Sequence, residues 1–94
     1  MAAVVTDNPS ALRYEIRVDD DLAGFAAYGR LHDVITFTHT EIDPAYEGQG
    51  LGSTLARAAL DDARAKGLRV RPHCPFIRSY IGRHPEYADL VDPG

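Results

Sequence analysis

Between Asp43 and Leu55 the chain changes its hydrophobic period, and it does so across three glycines. Upstream, residues 34–42 read Val-Ile-Thr-Phe-Thr-His-Thr-Glu-Ile, a run of β-branched side chains typical of a strand. Asp43-Pro44 ends that strand. Downstream, Leu51, Leu55, Ala58, Ala59 and Ala63 recur at helical spacing. Lys66-Gly67 closes the helix, with a cation in the last turn and a glycine just past it. Gly48, Gly50 and Gly52 lie between the two elements. A strand that runs through glycines into a helix N-terminus aims free backbone N–H groups, and the positive end of a helix dipole, at one point. That point favours a phosphate or pyrophosphate. Glycine is required because a side chain there would hold the backbone away from the phosphate oxygens.

Three phosphate-binding loops share this outline. A P-loop ends in Gly-Lys-Ser/Thr, whereas this chain offers Leu51-Gly52-Ser53 with no lysine. The dinucleotide fingerprint needs a further glycine. Counted from Gly48 that position is Ser53, and counted from Gly50 it is Leu55. The strands upstream also read as a meander rather than a βαβ unit. What remains is x-x-x-Gly-x-Gly between a strand and a helix.

The other segments supply the scaffold. With 94 residues the chain has room for one domain. Residues 1–10 are expected to be a flexible arm ending at Asn8-Pro9-Ser10, and residues 11–94 a single minimal domain. Residues 13–18 alternate, with Tyr14, Ile16 and Val18 on one face and Arg13, Glu15 and Arg17 on the other. Asp19-Asp20-Asp21 is a solvated turn. Residues 22–31 form the next strand, whose small residues Ala23, Gly24, Ala26 and Ala27 suggest close packing. Leu31-His32-Asp33 turns into the strand over 34–42. After the long helix, Leu68 to Arg71 is a short strand stopped by Pro72. Pro75 opens a second helix running to about Gly82. His84-Pro85 breaks it, and Glu86 to Val91 forms a final packing turn. The expected fold class is α/β (α+β): a mixed sheet, in which an antiparallel meander is followed by β-loop-α-β-α. The strand after the long helix should lie parallel to the third, through a right-handed crossover.

Composition narrows the function. The formal charge is −4, from 10 Lys and Arg against 14 Asp and Glu. Duplex binding needs a basic surface to displace counterions, so no nucleic acid partner is expected. Cys74 is the one cysteine, which rules out an internal disulfide and a thiolate-clustered zinc site; no metal is expected. No run approaches the ~18 apolar residues of a membrane span, and the N-terminus lacks a signal peptide's basic n-region. A cytoplasmic protein without a membrane partner is expected.

The stretch Tyr46-Glu47-Gly48-Gln49-Gly50-Leu51-Gly52-Ser53-Thr54-Leu55 resembles the acetyl-CoA loop of the GNAT superfamily of N-acetyltransferases. The resemblance is closer to a group of very small GNAT-like proteins. In these a His-Thr-Glu strand precedes the glycine loop, and a Cys-Pro-Phe helix runs to Arg-His-Pro-Glu-Tyr. Here those segments are His39-Thr40-Glu41, Cys74-Pro75-Phe76 and Arg83-His84-Pro85-Glu86-Tyr87. The likeness extends from about residue 14 to 91. One position departs from it: the family carries Arg, Lys or Gln where this chain has Glu47, an anion beside the expected pyrophosphate. Glu47 is expected to point to solvent, with weaker donor affinity as the consequence.

The resemblance implies an acyl-CoA-dependent N-acetyltransferase that moves an acetyl group to an amine, on a small molecule or a protein lysine, by direct attack on the thioester. It implies acetyl-CoA as co-substrate, with its pantetheine between the strand ending near Ile42 and the strand ending near Pro72. The donor-binding residues it implies are Ile42, Glu47, Gly48, Gln49, Gly50, Leu51, Gly52, Ser53, Cys74 and Arg83. Three residues are catalytic candidates. Glu41 stands as general base or as an exposed edge carboxylate, with His39 two residues earlier as a titrating neighbour or a structural histidine. Cys74 stands as a group at the acyl pocket, as proton donor to the thiolate, or as a small buried hydrophobe. Tyr80 stands as general acid or as a core tyrosine. Arg83, with Arg78, either reaches the adenosine phosphates or lies on a solvated helix face. A chain this short is expected to lack the extra helices that build the acceptor site in larger members, leaving that site open to a protein substrate. The rival function is a non-catalytic acetyl-CoA- or CoA-binding module or interaction domain.

Overall fold

The computed structural model describes residues 2–93. Met1 and Gly94, the first residue of the expected arm and the last of the expected domain, lie outside the described residues. Five strands form one sheet in sequence order: β1 (Ala3–Asn8), β2 (Arg13–Val18), β3 (Asp21–Leu31), β4 (Val34–Ile42) and β5 (Arg69–Pro72). Two helices follow the meander, α1 (Leu51–Ala65) between β4 and β5, and α2 (Pro75–Arg83) after β5. The first four strands pair antiparallel, and β5 joins β4 in parallel. This is the mixed sheet expected from the sequence, with one strand added at its N-terminal edge. Among the described residues no helix is long and apolar enough to cross a membrane.

The added strand corrects the expectation of a flexible arm over residues 1–10. Ala3 to Asn8 pair residue for residue with Val18 to Arg13. Side chains reinforce the ladder from across the molecule. The Tyr28 hydroxyl donates to Asp7 Oδ1 at 2.5 Å, and Lys66 Nζ meets Asp7 Oδ2 at 3.0 Å. Burial, and then the bond to Asp7, push the Tyr28 phenol up to about 12. A strand whose side-chain ties reach Tyr28 and Lys66, more than 20 residues away, leaves little local trace.

The expected alternation on β2 places Tyr14, Ile16 and Val18 in the core. They join Ala26, Tyr28, Ile35, Phe37 and Val70 of the sheet and Leu55, Ala59, Leu60, Ala63 and Ile77 of the helices in one cluster. On the opposite face Glu15 is also buried, because Arg13 and Arg17 fold over it at 2.7 and 3.2 Å and Asn8 donates to it at 3.3 Å. The Arg13 hydrogen bond comes first among the causes that hold the Glu15 carboxyl below its usual range. The β2–β3 turn has Asp19 and Asp20 at φ 49° and 72°, a left-handed pair that matches the twist of a two-residue hairpin.

The end of β5 opens a fork in the sheet. Pro72 is the last β5 residue in the ladder, opposite Phe37. The Cys74 N–H then donates to the Phe37 carbonyl at 2.8 Å. Beyond that point β4 continues to Ile42 with no ladder partner on its β5 side, and the start of α2 stands off from it. The sheet forks there.

Candidate functional site

The fork holds a cavity of about 380 Å³. Thr40 and Ile42 of β4 line one side, and Phe76 at the start of α2 lines the other. Tyr46, Glu47, Gly48, Gly50, Leu51, Gly52 and Ser53 close its end. Gly48 and Gly50 adopt φ of 83° and 72°, a region that costs an ordinary L-residue roughly 1–2 kcal/mol. Gly50 is the N-cap of α1; no side chain caps it, and the first turn carries no acidic residue. The helix therefore presents its opening amides to the cavity uncancelled, which suits an anion.

The sequence-selected donor residues divide accordingly. Ile42, Glu47, Gly48, Gly50, Leu51, Gly52 and Ser53 come together in the cavity. Gln49 is exposed and outside the lining. Arg83 sits in the last turn of α2, also outside it. Arg78 is tied to the carbonyls of Pro72 and His73 at 3.2 and 3.1 Å, where it fastens the end of β5. Cys74 is buried behind the lining, with Sγ 3.3 Å from Thr40 Oγ1. The pair adjoins the cavity through Thr40.

Glu41 occupies different ground. Successive residues of a strand face opposite sides, so Glu41 and His39 stand across β4 from Thr40 and Ile42. Glu41 lines a second cavity of about 220 Å³ with Leu22, Ala23, Gly24, Phe25, Asp43 and Pro44. The His39 Nε2 lies 3.3 Å from Glu41 Oε2, and the His39 ring meets the edge of Phe25. Tyr80 packs inside the α2 end of the core, its ring stacked on His84 at 3.9 Å and 6.0 Å from Tyr87. Burial raises its phenol above the usual range, and it takes no part in either cavity.

Thr40, Tyr46 and Phe76 are lining residues that sequence reasoning did not select. Thr40 was within reach, because it shares a strand face with Ile42. Phe76 was not, since its place depends on how α2 meets α1: a Cβ on Gly52 would lie 2.8 Å from Phe76 Cζ.

Comparison with known proteins agrees with this architecture. The profile of the GCN5-related N-acetyl-transferase family matches residues 13–90. Protein NATD1 of Mus musculus is 32% identical over 62 residues, covering 64% of this chain and 56% of that protein. Streptothricin acetyltransferase of Streptomyces lavendulae is 41% identical over 54 residues, covering 55% of this chain and 29% of that enzyme. A GCN5-like protein from Staphylococcus aureus shares the fold, with a TM-score of 0.70 at 20% identity over 95% of this chain and 87% of that one. The ribosomal-protein-S18-alanine N-acetyltransferase of Escherichia coli aligns with a TM-score of 0.60 at 25% identity, over 68% of this chain and 42% of that enzyme. The chain thus spans about half the length of the NATD1 protein it matches. With the family profile spanning β2 through the last turn, glycine loop and fork included, the chain belongs to the GCN5-related N-acetyltransferase family.

Proposed function

We propose that the chain is an acetyl-CoA-dependent N-acetyltransferase that acetylates a primary amine on a small molecule or a protein lysine. One observation carries the reading: a cavity at the sheet fork is closed by two left-handed glycines at the uncapped, acid-free N-terminus of α1. The diphosphate of the donor would take the amides of that turn, and the pantetheine would run along the unpaired part of β4 beside Thr40 and Ile42. The amine nitrogen attacks the thioester carbonyl, the C–S bond breaks, and the CoA thiolate leaves. Cys74, whose Sγ lies beside Thr40 Oγ1, would give a proton to that thiolate. Glu41, with His39 beside it, would take the proton lost by the amine where the acceptor meets the open edge of β4. Tyr80 faces His84 and Tyr87 instead, so the acid role falls to Cys74.

The test is calorimetric titration of acetyl-CoA, followed by measurement of CoA release with pools of amines and lysine peptides. Acetyl-CoA should bind, and Glu41→Gln should leave its Kd unchanged while lowering kcat by roughly 100-fold, within the span of lost general-base catalysis. A second reading is acetyl-CoA binding without transfer. It is favoured by the side chain of Glu41 lying across β4 from the donor cavity. Undiminished binding with no amine-dependent CoA release would select that reading; absence of binding would end both.

Glu47 supplies a further prediction. Glu47 is among the residues at the cavity end where the diphosphate would sit. Removing one negative charge near two others in largely aqueous surroundings is worth about 1 kcal/mol. Glu47→Gln should therefore tighten acetyl-CoA binding by roughly 5-fold at low salt, and by less at 0.5 M salt, where screening is short-ranged. Equal affinities for both proteins at low salt would place the phosphates away from Glu47.

A further inference from the structure

Gly24 lies outside the phosphate loop, on β3, and is buried opposite Ile42 in the β3–β4 ladder. Its φ is not among the positive ones, so the backbone there does not call for glycine. Space does. A Cβ at position 24 would lie 2.6 Å from Ile42 Cδ1, 3.2 Å from Ile42 Cα and 2.5 Å from the Glu41 carbonyl oxygen. Ile42 leans its side chain over the bare Gly24 backbone, and the same side chain lines the donor cavity.

We propose that Gly24 is a positioning residue of the donor site, whose missing side chain seats Ile42 and so sets the width of the pantetheine groove. The inference rests on the donor reading of the cavity. A methyl group at position 24 would require Ile42 Cδ1 to move by about 1 Å to regain ordinary contact distance. The Glu41 carbonyl oxygen at 2.5 Å must give way as well, which shifts the β4 backbone that carries Ile42, and a β-branched side chain has few χ1 alternatives with which to compensate. The displaced methyl group therefore moves toward the open side, which is the cavity. Two requirements separate here: Gly48 and Gly50 serve backbone conformation at the phosphate end, whereas Gly24 serves the room available along the groove.

The experiment combines methyl NMR of the wild-type chain with CoA titrations of variants. In the wild type, the Ile42 δ1 methyl should show a nuclear Overhauser contact to the Gly24 Hα protons and should shift on addition of CoA. Gly24→Ala should weaken CoA binding by about tenfold, in line with a modest overpacking cost borne at the cavity. Gly24→Ala should cost less affinity in the Ile42→Ala background than in the wild type, because the collision with Ile42 Cδ1 is gone and only the contacts with the Glu41 carbonyl oxygen and Ile42 Cα remain. Additive losses in the double variant, or wild-type affinity in Gly24→Ala, would overturn the proposal. So would CoA binding that leaves the Ile42 methyl unmoved, a result that keeps the donor reading intact and needs no variant to fold. If CoA does not bind the wild type at all, the donor reading itself falls and takes the proposal with it.

Discussion

Valine at Gly50 is expected to weaken acetyl-CoA binding by roughly 100-fold and to leave a folded protein. Gly50 has φ 72° and no atom within 4 Å of the place a Cβ would take. The fold thus has room for a side chain, and the cost to stability is conformational, roughly 1–2 kcal/mol for an L-residue in the left-handed region. For a domain of this size that is a fall in Tm of about 4–16 °C. The binding cost is separate. The open space around Gly50 is part of the donor cavity, so the branched side chain stands where the phosphates need to approach. Losing one or two hydrogen bonds to a charged acceptor costs about 1.5–3 kcal/mol each, or factors of about 10 to 150 apiece in Kd. Gly82→Ala is the control. It lies on α2 with ordinary φ and open space around it, and should bind normally and melt slightly higher, as alanine favours a helix. If Gly50→Val binds acetyl-CoA as the wild type does, the diphosphate is held elsewhere.

That site was readable because glycine and proline report backbone conformation directly. Asp43-Pro44 fixed the end of β4, and the glycines fixed the start of α1 within a residue. The meander followed from strands joined by short turns, and the parallel return of β5 from the helical crossover that precedes it. Other features required the third dimension. Strand β1 exists because β2 offers a free edge and because Tyr28 and Lys66 reach Asp7. Nothing within residues 3–8 encodes those partners. The rotation of α2 decides that Phe76 enters the cavity and Tyr80 enters the core, and that rotation is set by the contact of Gly52 with Phe76. One relation was present in the sequence all along. Glu41 and Ile42 are neighbours on one strand, so a base at the first and a donor contact at the second must lie on opposite faces. A transfer mechanism that uses Glu41 as its base has to bring the acceptor around the open edge of β4 to join them.

The apex of the fork should be the point where stability and donor binding are most tightly joined. Phe37 is fully buried, and its ring packs beside those of Tyr14 and Tyr28 at centroid distances of 6.2 and 6.4 Å. Its backbone is the last to pair with β5, and its carbonyl accepts the Cys74 amide. Phe37→Ala should cost about 3–5 kcal/mol, against a total of about 5–14 kcal/mol for a chain of 94 residues. At about 4–8 °C per kcal/mol, Tm should fall by roughly 15–40 °C, as followed by circular dichroism. Because the cavity begins just beyond this residue, ligand should recover part of the loss. Acetyl-CoA at a fixed concentration of 100 times the wild-type Kd adds about 2.7 kcal/mol to a protein that keeps wild-type affinity and binds it only when folded. Leu60→Ala, a cavity-forming change in α1 remote from the fork, supplies the comparison. It should be destabilised by a similar 2–5 kcal/mol yet keep wild-type affinity, and so should regain the full increment. Phe37→Ala should regain visibly less, since slackening the apex lets β4 and α2 drift and spoils the groove between them. Equal recovery in the two variants would mean that the donor is held by the glycine loop alone and that the fork contributes only to the fold.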